Sequence, residues 1–302
     1  MFTALLPGPV VRFRIIRYIG FMHLKTINPA AIKALAIDLD GTALLPDTSM
    51  GERTVRCLKR LIAAGMQVII CTGRAIESSK RYYSAIGAKG PMVFFNGAEV
   101  AEVPDIKVIS SNLLSLDVID YGIDLARAMG VHFQIFLPPG NGGWETLLID
   151  RQRTEAEMYQ KHTGIQPVIA DLKAVITSNG LPGCPKAMFI TDPALHDEIR
   201  RKITDRFGSR IYIARTFPTF LEIMNAGVSK GEGLKTVMEC RGLKPDEVIA
   251  FGDEENDVPM FSAAGFSAAP SGARESVRQA ADFIFGSNAE EGLAAFLDDL
   301  FK

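Results

Sequence analysis

From Ile32 onward the chain reads as short, unbroken apolar runs parted by segments with helical periodicity. The first run, Ile32 to Ile37 interrupted only by Lys33, stops at Asp38. In "TVRCLKRLIAAG" Val55, Leu58, Leu61 and Ile62 fall on one helical face, and Gly65 is a fitting residue to end it. "QVIICTGR", a helix through residues 75–85, and "PMVFFNGAEV" follow; "DEVIAFGDEEND", "GFSAA" and "ADFIF" repeat the scheme near the C-terminus. Apolar runs without alternation, each separated by a helix, predict a parallel sheet covered on both faces. The fold class expected is therefore α/β, a Rossmann-like doubly wound parallel sheet.

Residues 112–213 break the pattern. A helix over "VIDYGIDLARAMG" leads to "HFQIFLP", a Gly/Pro-rich turn and "WETLLID". "KAMFITD" then precedes a helix with Leu195, Ile199, Ile203 and Phe207 in register and Gly208 at its end, before "RIYIA" and "TFLEIMN". Helices and strands that do not strictly alternate suggest an inserted α+β domain. The division expected is a core of residues 32–111 and 214–302, a cap of residues 112–213, and an N-terminal extension, residues 1–31, outside the fold. The charges of that extension follow its apolar stretch, the reverse of a secretory signal; disorder is the expectation for it, ahead of an amphipathic membrane anchor.

Composition narrows the partners. The 33 basic and 35 acidic residues nearly cancel, so no field favours nucleic acid or an anionic membrane. The four cysteines, Cys57, Cys71, Cys184 and Cys240, are scattered and form no CxxC, which suits reduced core thiols in a cytoplasmic protein. No run is long enough to span a bilayer. The partner expected is a small-molecule substrate, and the protein is expected to be a monomer or homodimer.

The chemistry lies in what terminates the core runs. They end in Asp38, Thr72, Asn96 and Asp253, with Asn256 and Asp257 just beyond the last. In a parallel sheet all carboxyl ends share one edge, and ligands bind in the crevice outside it. A single Asp after a strand commonly serves only as a turn former, but several such ends delivered to one edge make a site. Oxygen donors predominate, so the implied ion is hard, Mg²⁺ first among them, and it would relieve the repulsion among crowded carboxylates. In "VSKGEGL", Ser229 and Glu232 have capping-box spacing, which puts Lys230 in a helix's first turn, well suited to an anion. No GxxxxGK[ST], GxGxxG or GxSxG occurs, leaving an aspartate nucleophile acting on phosphorus: Asp38 attacks and Asp40 handles the proton.

"DLDGT", "CTGR", "VSKGEGL" and "GDEENDVPM", in this order, resemble the four motifs of the haloacid dehalogenase-like phosphatases. The long insert, with "FFNGAEV" before it and "TFPTFLEI" after it, resembles the Cof-type sugar-phosphatase branch. The resemblance covers about residues 33–302. It implies Asp38 as the nucleophile forming an aspartyl-phosphate, and Asp40 as the acid that protonates the leaving oxygen and then activates water. It implies Mg²⁺ on the Asp38 carboxylate, the Asp40 backbone carbonyl and Asp253, with Asp257 supporting. Thr72, Gly73 and Lys230 would hold the phosphoryl group, while Asn256 and Asn96 line the substrate side.

The sequence departs from that pattern in "GFSAAPSGA", where relatives carry "GxxVAMGNA" and Gly272 replaces their Asn; "TALL" for "TLL" is milder. Two other readings stay open: a phosphomutase of the same fold, and a non-catalytic regulatory relative. Specificity is expected in the insert, where Trp144, His132 and "PPGNGGW" are conspicuous, although ordinary packing would equally account for Trp144.

Overall fold

The strand Ala34–Ile37 is buried along its whole length and forms the spine of the first of two compact units. The structure, a computed structural model, describes residues 27–140, 144–178 and 180–302. The first unit contains, of these, residues 27–71, 85–88 and 238–302; the second contains residues 72–84 and 89–237. Besides residues 112–213, the second unit thus takes in 72–84, 89–111 and 214–237, segments that the sequence reading placed with the core.

In the first unit five strands lie in the order Phe283–Phe285, Phe266–Pro270, Val248–Phe251, Ala34–Ile37, Gln67–Ile70. Every pairing is parallel, as unbroken apolar runs separated by helices require. Burying side chains such as Leu35 and Ile37 contributes about 1.5–3 kcal/mol each. The helix Glu52–Ala63 buries Thr54, Cys57, Leu58 and Leu61, leaving Val55 and Ile62 only half-buried. Gly65 follows at φ 94°, in the left-handed region expected of a residue just past a helix end. Of the extension read over residues 1–31, residues 1–26 lie outside the described residues. The remainder carries a short turn, Pro29–Ala31, capped by the Asn28 side chain, with Ile27 buried.

The second unit holds a six-stranded sheet in the order Ile211–Phe217, Phe220–Asn225, Lys186–Ile190, His132–Leu137, Thr146–Ile149, Val168–Ile169. All its pairings are antiparallel except the last. Its core joins helices Leu116–Met129 and His196–Phe207 to the sheet through Ile119, Ile123, Ile199, Ile203, Phe133 and Phe189. The two phenylalanine rings stack tilted at 4.7 Å.

One element differs from the sequence expectation. The run "PMVFF" does not continue the parallel ladder: Gly90–Phe94 pairs antiparallel with Glu99–Val103, which pairs with Lys107–Ser111 in a separate three-stranded sheet. The turn Phe95–Gly97, whose three residues all have positive φ (50°, 58° and 100°), folds the chain straight back and makes Glu99–Val103 the antiparallel partner. Asn and Gly tolerate that region best, so "NG" was itself the hairpin signal.

Candidate active site

Asp38 leaves the central strand at the point where the topology reverses. The chain passes from Ala34–Ile37 to Gln67–Ile70 on one side and later returns to Val248–Phe251 on the other. Ligand sites of open α/β sheets form in the crevice at such a switch. The Asp38 N–H donates to the Phe251 carbonyl at 2.9 Å, so the two strand ends that carry Asp38 and Asp253 run side by side. Asp38 is itself buried, 4% exposed.

A tight turn over Leu39–Ala43 follows, closed by the Leu44 N–H on the Leu39 carbonyl at 2.9 Å. It aims the Thr42 hydroxyl at Asp253 Oδ1, 2.9 Å away. Gly41, at φ 78°, sits where any Cβ would fall on the Asp253 carboxylate, so this turn needs glycine on two counts. Asp257 is held from the backbone: its Oδ2 accepts the Asp253 and Glu254 N–H groups at 2.8 and 2.9 Å. Asp38, Asp253 and Asp257 consequently offer carboxylate oxygens that lie within 4.8 Å of one another. Three acids gathered so closely repel unless a cation lies among them, and an all-oxygen donor set with two buried members suits a hard divalent ion. The donors therefore fit Mg²⁺. The Asp40 side chain is outside this trio and exposed. Asn256 lies half-buried in the same turn, Glu255–Asp257.

The remaining expected residues gather in the second unit. The Thr72 N–H donates to the Val93 carbonyl, and the Asn96 N–H to the Thr72 carbonyl, both at 2.9 Å. Asn96 packs against Gly73, since a Cβ there would come 2.9 Å from its Oδ1. Gly97 in turn abuts the backbone of Ser229 and Lys230. Lys230 opens the helix Lys230–Arg241 and is buried, 2% exposed, not a solvated surface charge. Half of the anticipated capping box forms: the Glu232 N–H donates to Ser229 Oγ at 3.1 Å, while the Glu232 carboxylate engages Lys235 at 2.7 Å. Thr72, Gly73, Asn96 and Lys230 are thus brought together, as are Asp38, Asp253 and Asp257 in the other unit.

Several buried charged residues of the second unit escaped the sequence reading. Lys186 and Glu222 form an ion pair at 2.8 Å, with both side chains almost fully buried. Glu99 has no exposure, and burial, followed by the charge of Glu145, pushes its carboxyl up to about 8. Burial raises Glu145 to about 7, although its Oε1 accepts the Glu77 N–H at 2.8 Å. The available signal was a charge inside an apolar strand, in "PKAMFI" and "FLEIMN". His132 is buried in its strand beside Gln134, at 3.1 Å, and burial lowers its basicity, so it belongs to the interior of the sheet. Trp144 is half-buried and carries Lys80 over its ring at 4.7 Å. Residues 141–143 of "PPGNGGW" lie outside the described residues. In the altered stretch a Cβ on Gly272 would meet open space, and the Arg274 N–H donates to the Asp253 carbonyl at 3.2 Å.

This arrangement of motifs and strand ends has relatives. Residues 35–297 match the haloacid dehalogenase-like hydrolase family, and the chain belongs to it, as its four motifs led one to expect. It is an enzyme family whose similar members are named as phosphatases. A 5-amino-6-(5-phospho-D-ribitylamino)uracil phosphatase of Bacillus subtilis is 29% identical over 280 residues, covering 89% of this chain and 97% of the relative. A phosphoglycolate phosphatase of Methanopyrus kandleri is 28% identical over 266 residues, covering 88% and 95%. Among solved structures, a haloacid dehalogenase-like hydrolase of Bacteroides thetaiotaomicron superposes with a TM-score of 0.81 at 22% identity, covering 89% of this chain and all of that one. A Thermotoga maritima protein superposes at 0.78 with 26% identity, covering 88% and 97%. Among the described residues no helix is long and apolar enough to cross a membrane.

Proposed function

We propose that the protein is a Mg²⁺-dependent phosphatase that hydrolyses small phosphorylated metabolites, sugar phosphates first, through an aspartyl-phosphate intermediate. The observation that carries this reading is the meeting of Asp38, Asp253 and Asp257 at the switch point of the parallel sheet. The phosphatase names of the relatives support it; their substrates differ from one another, so none is transferred to this chain.

Asp38 is the nucleophile. Its carboxylate attacks phosphorus, the P–O bond to the leaving group breaks, and a phosphoryl–aspartate forms. Asp40, exposed two residues later, gives its proton to the departing oxygen. As a carboxylate it then takes a proton from the water that cleaves the acyl phosphate, releasing phosphate and restoring Asp38. Splitting one displacement into two lowers each barrier. Asp38, Asp253 and the Asp40 backbone carbonyl would hold Mg²⁺, with Asp257 supporting, and the ion would supply positive charge to the phosphoryl oxygens. Thr72, Gly73 and Lys230 would hold the phosphoryl group, and Asn96 and Asn256 would line the substrate side. Residues 32–111 with 214–302 act as catalytic core and residues 112–213 as the cap that selects the leaving group. Buried free thiols at Cys57 and Cys184 support a reducing, cytoplasmic setting.

The test is phosphate release across a panel of phosphorylated metabolites with Mg²⁺ and without it. Phosphate monoesters resist water so strongly that rate enhancements near ~10²¹ are needed, so Asp38→Asn should leave no measurable turnover and trap no phosphoenzyme. Release without any bisphosphate activator separates a phosphatase from a phosphomutase. Appreciable turnover by Asp38→Asn would overturn the mechanism.

A further inference from the structure

The buried Lys186–Glu222 pair has no part in the reaction as written, yet it reaches the phosphate loop. Lys186 Nζ donates to the Glu222 carboxylate at 2.8 Å and to the Gly73 backbone carbonyl at 3.1 Å. The lysine is 2% exposed, and its ammonium lies 5.4 and 5.3 Å from the ring centres of Phe95 and Phe136. A cation enclosed this way keeps one position, because both its donors and its aromatic contacts are directional.

The Gly73 carbonyl shares a planar peptide unit with the Arg74 N–H, and the two point in opposite directions. That N–H donates to Thr72 Oγ1 at 3.1 Å. Fixing the carbonyl from one side therefore fixes the donor on the other. A hydroxyl that accepts at its lone pair directs its own O–H elsewhere. We propose that Lys186, anchored by Glu222, is a positioning residue: through the Gly73–Arg74 peptide it orients the Thr72 hydroxyl to donate to the phosphoryl group. The inference rests on the phosphatase reading of Thr72 given above. It assigns work to two strands of the six-stranded sheet, Lys186–Ile190 and Phe220–Asn225, that is independent of which leaving group is accepted.

A double-mutant cycle with the full chain tests it. Thr72→Val removes the hydroxyl at nearly constant shape, and Lys186→Met removes the cation. Small misplacements of a bound reactant can cost about 10²-fold in rate, and a kcat loss of up to that size is expected for each single variant. KM should change little, and inorganic phosphate should inhibit more weakly in both. The double variant should lose no more than the worse single one, because both act through one hydroxyl. The loss should be equal on a sugar phosphate and on nitrophenyl phosphate, and Lys186→Arg should recover most of it. Should Lys186→Met fail to fold because it strands the Glu222 charge, Lys186→Met/Glu222→Leu leaves no charge unpaired and replaces it in the cycle. Losses that multiply, or a Lys186 effect that depends on the leaving group, overturn the positioning role while leaving the phosphatase intact. An unchanged Thr72→Val enzyme would instead remove Thr72 from the phosphate site, and the inference with it.

Discussion

The Thr42 hydroxyl donates to Asp253 Oδ1 at 2.9 Å, joining residues 211 positions apart across the switch point of the parallel sheet. One carboxylate oxygen is thereby occupied and the orientation of the group is set. Thr42→Val keeps the volume and removes the donor. Partners that orient a metal ligand are worth about 10–100-fold in metal affinity or activity, so the Mg²⁺ needed for half-maximal rate should rise by that factor. Titration of activity with Mg²⁺, after stripping with a chelator, measures it. Unchanged Mg²⁺ dependence would separate Thr42 from the ion.

Asp40→Asn should discriminate between leaving groups. Its backbone carbonyl survives, so Mg²⁺ binding should persist, while proton transfer worth about 10²–10⁴ in rate is lost. A sugar alkoxide needs that proton and a nitrophenolate hardly does. Burst kinetics with nitrophenyl phosphate should show a nearly normal first step and accumulated phosphoenzyme, whereas turnover of a sugar phosphate collapses. Equal first-step losses on both substrates would exclude Asp40 as the acid.

Gly41→Ala combines two penalties. At φ 78° a Cβ is disfavoured by about 1–2 kcal/mol, and here it would also fall on the Asp253 carboxylate. The strain must move either the turn or the Asp253 carboxylate. We expect a lower melting temperature together with a Mg²⁺ requirement raised at least as far as in Thr42→Val. Calorimetry and metal titration on one preparation check both; full activity at normal Mg²⁺ would contradict the turn geometry.

Glu99 predicts a pH dependence of stability. Its carboxyl is raised from 4.5 to about 8 by burial, then by Glu145, so between these values the folded state holds a proton that the unfolded state has released. Stability from this group is therefore full below about 4.5 and is lost as pH rises toward 8. Glu145, raised from 4.5 to about 7, acts in the same direction. Glu99→Gln should raise the melting temperature most above pH 8 and little at pH 5, at roughly 2–4 °C per kcal/mol for a domain of 150–250 residues. A difference between variant and parent that does not vary with pH would show that Glu99 is not neutral inside the fold.

The sequence by itself determined the parallel sheet, because uniformly apolar runs such as Ala34–Ile37 can be buried on both faces only there. It also marked Asp38 and Asp253 as the acids that end such runs, and the fold brings their carboxylates together with that of Asp257. The helices Glu52–Ala63 and His196–Phe207 were legible from their 3.6-residue period and the glycines behind them. Local signals act over a few residues, and they weaken where partners are remote. The strand Gly90–Phe94 looked parallel by composition, and only the turn at Phe95–Gly97 committed it to a hairpin. Lys186 and Glu222 looked like ordinary charges in strands; what makes them a pair is the antiparallel register of Lys186–Ile190 with Phe220–Asn225, which sets Met188 opposite Glu222 and leaves Lys186 within reach of that carboxylate and of Gly73. Burial likewise gave Glu99 and Glu145 their shifted acidity, which no single stretch of sequence carries. Tertiary structure decided these features because desolvation and long-range hydrogen bonds depend on which remote surfaces meet.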